Sequence, residues 1–189
     1  MRLAPPVFVL LATLAPATVG AQGVASVKQM ALARVKLAEQ LAGDPELRKA
    51  VAAKNAEGES QQAIEARDRE WTHNPAAPRR KALTGSRCAA RLRELMAADP
   101  LVVEGILMDQ HGANVCVSRE TSDYWQGDED KWKKPFVEGR AAFVDEPAFD
   151  ASSATYAVQL SVPVSENGKR IGALTLTMKV RKDAAAPGK

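Results

Sequence analysis

Histidine and cysteine are scarce: His73 and His111 are the only histidines, Cys88 and Cys116 the only cysteines. Neither histidine has a second His, Cys or acid at metal-ligand spacing, which argues against a metal centre. A c-type haem needs paired cysteines followed by histidine, and that motif is missing. Glycine-rich phosphate loops, dinucleotide fingerprints and nucleophile elbows are missing too. No cofactor and no enzymatic activity are therefore expected, although a catalytic site assembled from distant residues would leave no short motif. The chain also lacks charge of one sign. Its 26 basic and 23 acidic residues leave a net charge of +3, and they interleave, as in Arg67-Asp68-Arg69-Glu70. Nucleic acid is thereby disfavoured, since that partner calls for a clustered basic face.

Long hydrophobic runs are nearly absent. The one uncharged apolar run, residues 7–14, follows Arg2 and precedes the small residues Val19, Gly20 and Ala21. This pattern predicts a secretory signal over 1–21, a mature chain from Gln22 and a periplasmic location. At eight residues the run is short for a span of about 20, and Pro5, Pro6 and Pro16 argue against one. Retention as an anchor is the alternative. Residues 182–189 read as a flexible tail with no further span or output domain, so any sensed signal would need a partner.

Apolar residues make up 46% of the 189-residue chain, enough for a core. Residues 22–85 read as a helical region and 86–181 as a sheet domain. Val24, Val27, Leu32, Val35 and Leu41 recur near the helical period and predict one helix over 24–41. Gly43 stops it, and Asp44-Pro45 caps the next helix. A third helix covers 61–71, residues 79–84 are undecided, and Ser86 caps a helix reaching Ala98. Strands follow at 101–108 and 115–118 around a turn at 109–114. Residues 121–135 are irregular with a helical turn at 128–133, a short strand spans 140–144, and 145–153 is a loop. Residues 156–164 and 170–180 form a hairpin about Asn167-Gly168, a dipeptide suited to a two-residue turn. Counting out from that turn pairs Val162 with Ala173, Leu160 with Thr175 and Val158 with Thr177. On the other face it pairs Ser161 with Leu174, Gln159 with Leu176 and Ala157 with Met178. Both faces are then mostly apolar, so the sheet should be covered by helices on one side and loops on the other.

The stretch Thr121-Ser-Asp-Tyr-Trp-Gln-Gly-Asp-Glu-Asp-Lys-Trp132 resembles the segment after the first hairpin of bacterial extracytoplasmic Cache (PDC, PAS-like) sensor domains. The run Asp150-Ala-Ser-Ser, Val158-Gln-Leu-Ser-Val-Pro-Val164 and Gly168-Lys-Arg-Ile-Gly-Ala-Leu174 resembles the same family, and Asp109-Gln-His-Gly-Ala-Asn-Val115 fits its first turn. The resemblance covers about 101–180. It implies an α+β fold with a PAS/Cache-like antiparallel five-stranded sheet preceded by long N-terminal helices. It also implies a single Cache module binding a small metabolite, commonly a carboxylate or amino acid, and acting through a membrane receptor or signalling protein.

Candidate ligand-binding residues fall in two groups. Tyr124, Trp125, Lys131 and Trp132 offer aromatic walls and polar tips, which small-molecule pockets need; the plainer role is plugging the sheet's open face. Arg140, Asp145 and Tyr156 form the second group. Arg140 can fork onto a carboxylate, or simply pair with Glu138 or Asp145 at the surface. Asp145 can receive an ammonium, and Tyr156 can wall the pocket. The competing reading is a structural, dimerising or docking protein without a working pocket, with the 24–41 stripe as the basis of a homodimer through the N-terminal helices.

In an exported protein the two cysteines invite a bridge. The helix ending near Ala98 must fold back along the strand from Leu101. Cys88 then lies about 15 Å back along the helix, and Cys116, paired near Leu107, about 20 Å along the strand. Cys88 shares a face with Leu92 and Leu95, Cys116 with Leu101, Val103 and Leu107. A Cys88–Cys116 disulfide and a pair of buried free thiols both satisfy this arrangement.

Overall fold

A computed structural model describes residues 21–150 and 155–180. The signal assigned to 1–21 and the tail at 182–189 lie outside these residues, apart from Ala21. Six helices precede the sheet: α1 (Ala21–Leu32), α2 (Val35–Ala42), α3 (Pro45–Ala56), α4 (Gln61–His73), α5 (Pro78–Gly85) and α6 (Arg87–Met96). Their starts follow the local chemistry. Asp44 accepts the N–H groups of Glu46 and Leu47 ahead of Pro45, Ser60 accepts that of Ala63, and Ser86 that of Ala89.

The single helix expected over 24–41 is two. At the break the Arg34 N–H bonds the Ala31 carbonyl three residues back. The Arg34 side chain turns away to Asp99, at 2.6 Å, and to the Met30 carbonyl. An ion pair made far along the chain thus decides a boundary that periodicity ran through. The undecided stretch at 79–84 is helical, within α5.

The strands are β1 (Val102–Met108), β2 (Asn114–Val117), β3 (Phe143–Val144), β4 (Ala148–Asp150), β5 (Thr155–Glu166) and β6 (Lys169–Val180). They form one antiparallel sheet in the order β2-β1-β6-β5-β3, with β4 also on β5. β3 and β4 follow one another along the same edge, so they act as one fifth strand interrupted at 145–147. This is the helices-then-five-strands layout expected for a PAS/Cache-like fold. The short strand placed at 140–144 shrinks to two residues, and the loop placed at 145–153 contains β4. A turn of helix α7 (Asp130–Trp132) and a wide turn, Lys133–Val137, lie over β5 and β6.

The β5–β6 register corrects the one counted from the turn. Asn167 and Gly168 do form the two-residue turn, both with positive φ, and Glu166 pairs with Lys169 and Ser165 with Arg170. The next pair is Val164 with Gly172, so Ile171 is an extra residue, a β-bulge. Beyond it every partner moves by one: Val162 faces Leu174, Leu160 faces Leu176, Val158 faces Met178, and Ser161 faces Thr175. A one-residue slip exchanges the faces of a whole strand. Here it gathers Val158, Leu160, Val162 and Val164 with Leu174, Leu176 and Met178 on the helix side.

Asn55 on α3 holds the bulge in place. Its amide donates to the Ile171 carbonyl (2.8 Å), and its carbonyl accepts the Gln110 N–H (3.0 Å) in the β1–β2 turn. At Gly172 a Cβ would stand 2.1 Å from the Met108 carbonyl oxygen, so only glycine lets β6 pass the end of β1.

The main core lies between the helices and this aliphatic face. Val27, Ala31, Leu41, Leu47, Val51, Ala89 and Leu92 pack on β1, β5 and β6. Cys88 and Cys116 are joined there, with Cα atoms 6.0 Å apart, clamping α6 to β2. As expected, Cys116 pairs with Leu107.

Candidate functional site

The opposite sheet face is covered by residues 121–137 and α5. Its central rung runs Val117–Ile106–Thr175–Ser161–Phe143 across five strands. The neighbouring rungs are Asn114–Met108–Ala173–Pro163 and Glu104–Thr177–Gln159. Ile106, Met108, Val117 and Ala173 make an apolar half, packed by Leu83, Trp132 and Phe136. The other half is polar, buried at Ser161, Thr175 and Thr177 and partly exposed at Glu104 and Gln159. Ser161 and Thr175 are fully buried and joined hydroxyl to hydroxyl at 2.9 Å, and the Thr177 hydroxyl donates to Glu104 at 2.9 Å. A face built only for packing would carry aliphatic side chains here, since buried polar groups cost free energy unless paired.

Residues 121–127 are tied down from two sides. On α4, the Asp68 carboxylate accepts the N–H groups of Tyr124 and Trp125, at 2.9 and 3.0 Å. Trp71 of the same helix donates to the Thr121 carbonyl. On the hairpin side, Trp125 pairs with Ala113, and its indole N–H donates to the His111 carbonyl. Gly112, at φ 80°, and Gly127 let the two backbones touch: a Cβ on Gly112 would sit 2.4 Å from the Gly127 Cα. The hairpin turn is organised by Asp109, which is buried and accepts the N–H groups of His111 and Ala113. Burial raises its pKa above the ordinary carboxylate range, and those two N–H groups offset part of the rise.

Three donors converge on the Asp123 carbonyl: the Asn114 amide (2.9 Å), the Gln126 amide (2.9 Å) and the Thr121 hydroxyl (2.7 Å). The carbonyl oxygens of the same two amides, Asn114 Oδ1 and Gln126 Oε1, are buried without a partner. Both are acceptors open to a further donor.

Tyr124 is fully buried; its ring packs on Trp71 and carries Arg79 over its face at 5.7 Å. Lys131, the buried lysine of α7, is only 8% exposed and pairs with Glu129 at 3.0 Å. Trp132 stacks on Phe136 at 5.0 Å and donates its indole N–H to the Asp109 carbonyl. The wide turn after α7 sets Phe136 over the sheet beside Trp132.

The first group of expected site residues, Tyr124, Trp125, Lys131 and Trp132, therefore lies in one covering segment. The second group does not join it. Arg140 sits outside any strand, half-exposed, with its Nε 3.0 Å from Glu138. Asp145 lies at the β3 edge, its carboxylate on the Glu146 N–H. Tyr156 is half-buried against the helix-side core. Gln126 belongs to the segment the sequence had marked; unexpected members are Asp68, Asp109, Asn114, Glu104, Ser161, Thr175 and Thr177. Hydroxyls inside otherwise aliphatic strands were the signal for the last three, but the mistaken register separated Ser161 from Thr175.

Among the described residues no cluster of three or more His, Cys, Asp or Glu is placed to hold a metal ion, and no helix is long and apolar enough to cross a membrane.

No protein-family model matches the chain, and no curated protein matches it. Solved structures do align. The ligand-binding domain of the Pseudomonas aeruginosa amino acid chemoreceptor PctC, in complex with GABA, is 14% identical, with TM-score 0.45, over 85% of this chain and 56% of that one. The ligand-binding domain of the Pseudomonas fluorescens chemoreceptor CtaA, in complex with L-alanine, is 12% identical, with TM-score 0.44, over 82% and 54%. The sensor domain of the Vibrio cholerae histidine kinase DctB is 11% identical, with TM-score 0.43, over 82% and 50%. This chain spans between half and two thirds of the length of these and the other chemoreceptor domains it aligns with.

Proposed function

We propose that this protein is an exported sensor module that takes a small carboxylate-bearing metabolite, a carboxylate or an amino acid, between the loop-covered sheet face and residues 121–137, and acts through a partner. The observation that carries the reading is the set of buried hydroxyls in the polar half of that face. Ser161, Thr175 and Thr177 are buried hydroxyls under a covering segment that also buries Lys131. An ammonium held out of water is stabilised by an anion, and Glu129, its present partner, is itself 43% exposed. An arriving carboxylate competes for that ammonium, while Asn114 Oδ1 and Gln126 Oε1 are acceptors suited to an ammonium or amide donor. Trp132 and Phe136 form the apolar wall.

A thermal-shift screen of carboxylates and amino acids tests this, because a ligand that binds only the folded state raises Tm. The expected result is a saturable rise that Lys131→Ala abolishes. A uniformly flat screen favours a second reading, a structural or docking protein. The packing of Trp132 and Phe136 directly on Ile106 and Met108 supports that reading. Export is checked separately by mass spectrometry of the processed protein, with an N-terminus expected between Ala17 and Val24; a full-length cytoplasmic product rejects it.

A further inference from the structure

On the outer side of the wide turn lies a groove of about 580 Å³, lined by Phe136, Val137, Gly168, Lys169 and Arg170. It runs between that turn and the tip of the β5–β6 hairpin. Val137 is 58% exposed, one of two large apolar side chains so displayed among the described residues. Lys169 and Arg170 are exposed, and no carboxylate stands within 4.0 Å of either among the described residues. Two acids lie nearby: Glu166, the cross-strand partner of Lys169, makes no ion pair with it, and Glu138 is already shared by Lys134 (2.7 Å) and Arg140 (3.0 Å), its pKa lowered chiefly by the Lys134 hydrogen bond. Arg170 reaches back to the wide turn. Gly139 has φ 73°, and a Cβ there would stand 1.8 Å from an Arg170 guanidinium nitrogen, so the guanidinium lies against bare Gly139 backbone.

We infer that this groove is a docking site for an acidic peptide segment of a partner protein, one that sets an apolar side chain on Phe136 and Val137 and carboxylates on Lys169 and Arg170. The planar Arg170 fork suits bidentate carboxylate recognition, and the exposed cations steer an acidic partner to the site. A membrane fits less well. Surface binding to lipid needs a broad apolar face beside a polybasic patch, and here a single exposed valine stands beside two cations. The floor residue Phe136 stacks on Trp132, so a partner seated here touches the same turn that covers the sheet face. The surface itself stands independently of any ligand on that face.

The test uses the ¹⁵N-labelled full chain titrated with the peptide acetyl-Glu-Asp-Leu-Phe-Asp-Glu-amide, and with its counterpart carrying lysine at each acidic position. The expected result is a saturable amide shift confined to residues 136–140 and 168–170 with the acidic peptide only. Lys169→Glu/Arg170→Glu should weaken binding at least tenfold with Tm unchanged, since both side chains are exposed. Gly139→Ala, which displaces the guanidinium, should weaken it through a different element. No saturable shift, shifts elsewhere, or an equal response to the basic peptide overturns the inference. It is equally overturned if these residues respond to phosphatidylcholine–phosphatidylglycerol vesicles or to raised protein concentration while ignoring the acidic peptide, which would assign the surface to lipid or to a second copy.

Discussion

Reducing the Cys88–Cys116 bridge should lower the melting temperature by roughly 7–14 °C. The bridge closes a loop with a sequence separation of 28 residues. In the chain-entropy description that closure removes about 12 cal/mol/K from the unfolded ensemble, or about 3.6 kcal/mol at 25 °C. For a protein of this size each kcal/mol moves Tm by roughly 2–4 °C. Both side chains are buried between α6 and β2, so a reductant gains access only on opening. The protein should therefore be reduced in denaturant, refolded with a phosphine present and melted beside the oxidised form. Comparing oxidised with reduced wild type keeps every side chain and isolates the cross-link, whereas Cys88→Ala/Cys116→Ala also removes packed sulfur. Thiol titration of denatured, unreduced protein should find none. Two reactive thiols per chain, or oxidised and reduced forms melting within 2 °C of each other, would refute the reasoning.

Asn55→Ala strips the partners from the Ile171 carbonyl and the Gln110 N–H, and should cost about 1–3 kcal/mol in denaturant unfolding; a variant of unchanged stability would mean that the bulge needs no tether. Gly172→Ala should lower stability by at least about 1–3 kcal/mol, read in the same experiment, because the added carbon meets the Met108 carbonyl. At Asp44 burial pulls the pKa up, but hydrogen bonds from Arg91 and the N–H groups of Leu47 and Glu46 outweigh it and hold the value below the ordinary 3.8. A lowered folded pKa gives stability that is present above the unfolded pKa and lost as pH falls through the folded one. Asp44→Asn keeps the cap and loses the charge, so its Tm deficit, worth under about 1 kcal/mol for a partly exposed pair, should be visible at pH 7 and close below pH 4. The difference between the two proteins cancels Asp109, whose raised pKa acts in the opposite direction. A deficit that persists unchanged at pH 3 would contradict the assignment.

What the sequence alone determined is local or set by chain connectivity. Asp44 and Ser86 sit where a carboxylate or hydroxyl can take orphan N–H groups, so the starts of α3 and α6 were legible. Asn167-Gly168 tolerates positive φ, so the turn was legible. The cysteine pairing was legible as one of two outcomes, because Asp99-Pro100 forces α6 back along β1 and fixes the depths of both residues. The aromatic and polar density of 121–132 marked the covering segment. Tertiary structure decided the rest. The Ile171 bulge exists because Asn55, 116 residues earlier, pairs its carbonyl, and because Gly172 must slip past Met108. Within 156–180 the one hint is Gly172, an isolated glycine inside a strand; the Asn55 tether lies outside it. With the bulge goes the register, and with the register the buried Ser161–Thr175 rung that makes the second face polar. Arg140 shows the same division. Its residue type suggested a carboxylate fork, but where it points was set by the wide turn after α7, which leaves it at the surface on Glu138.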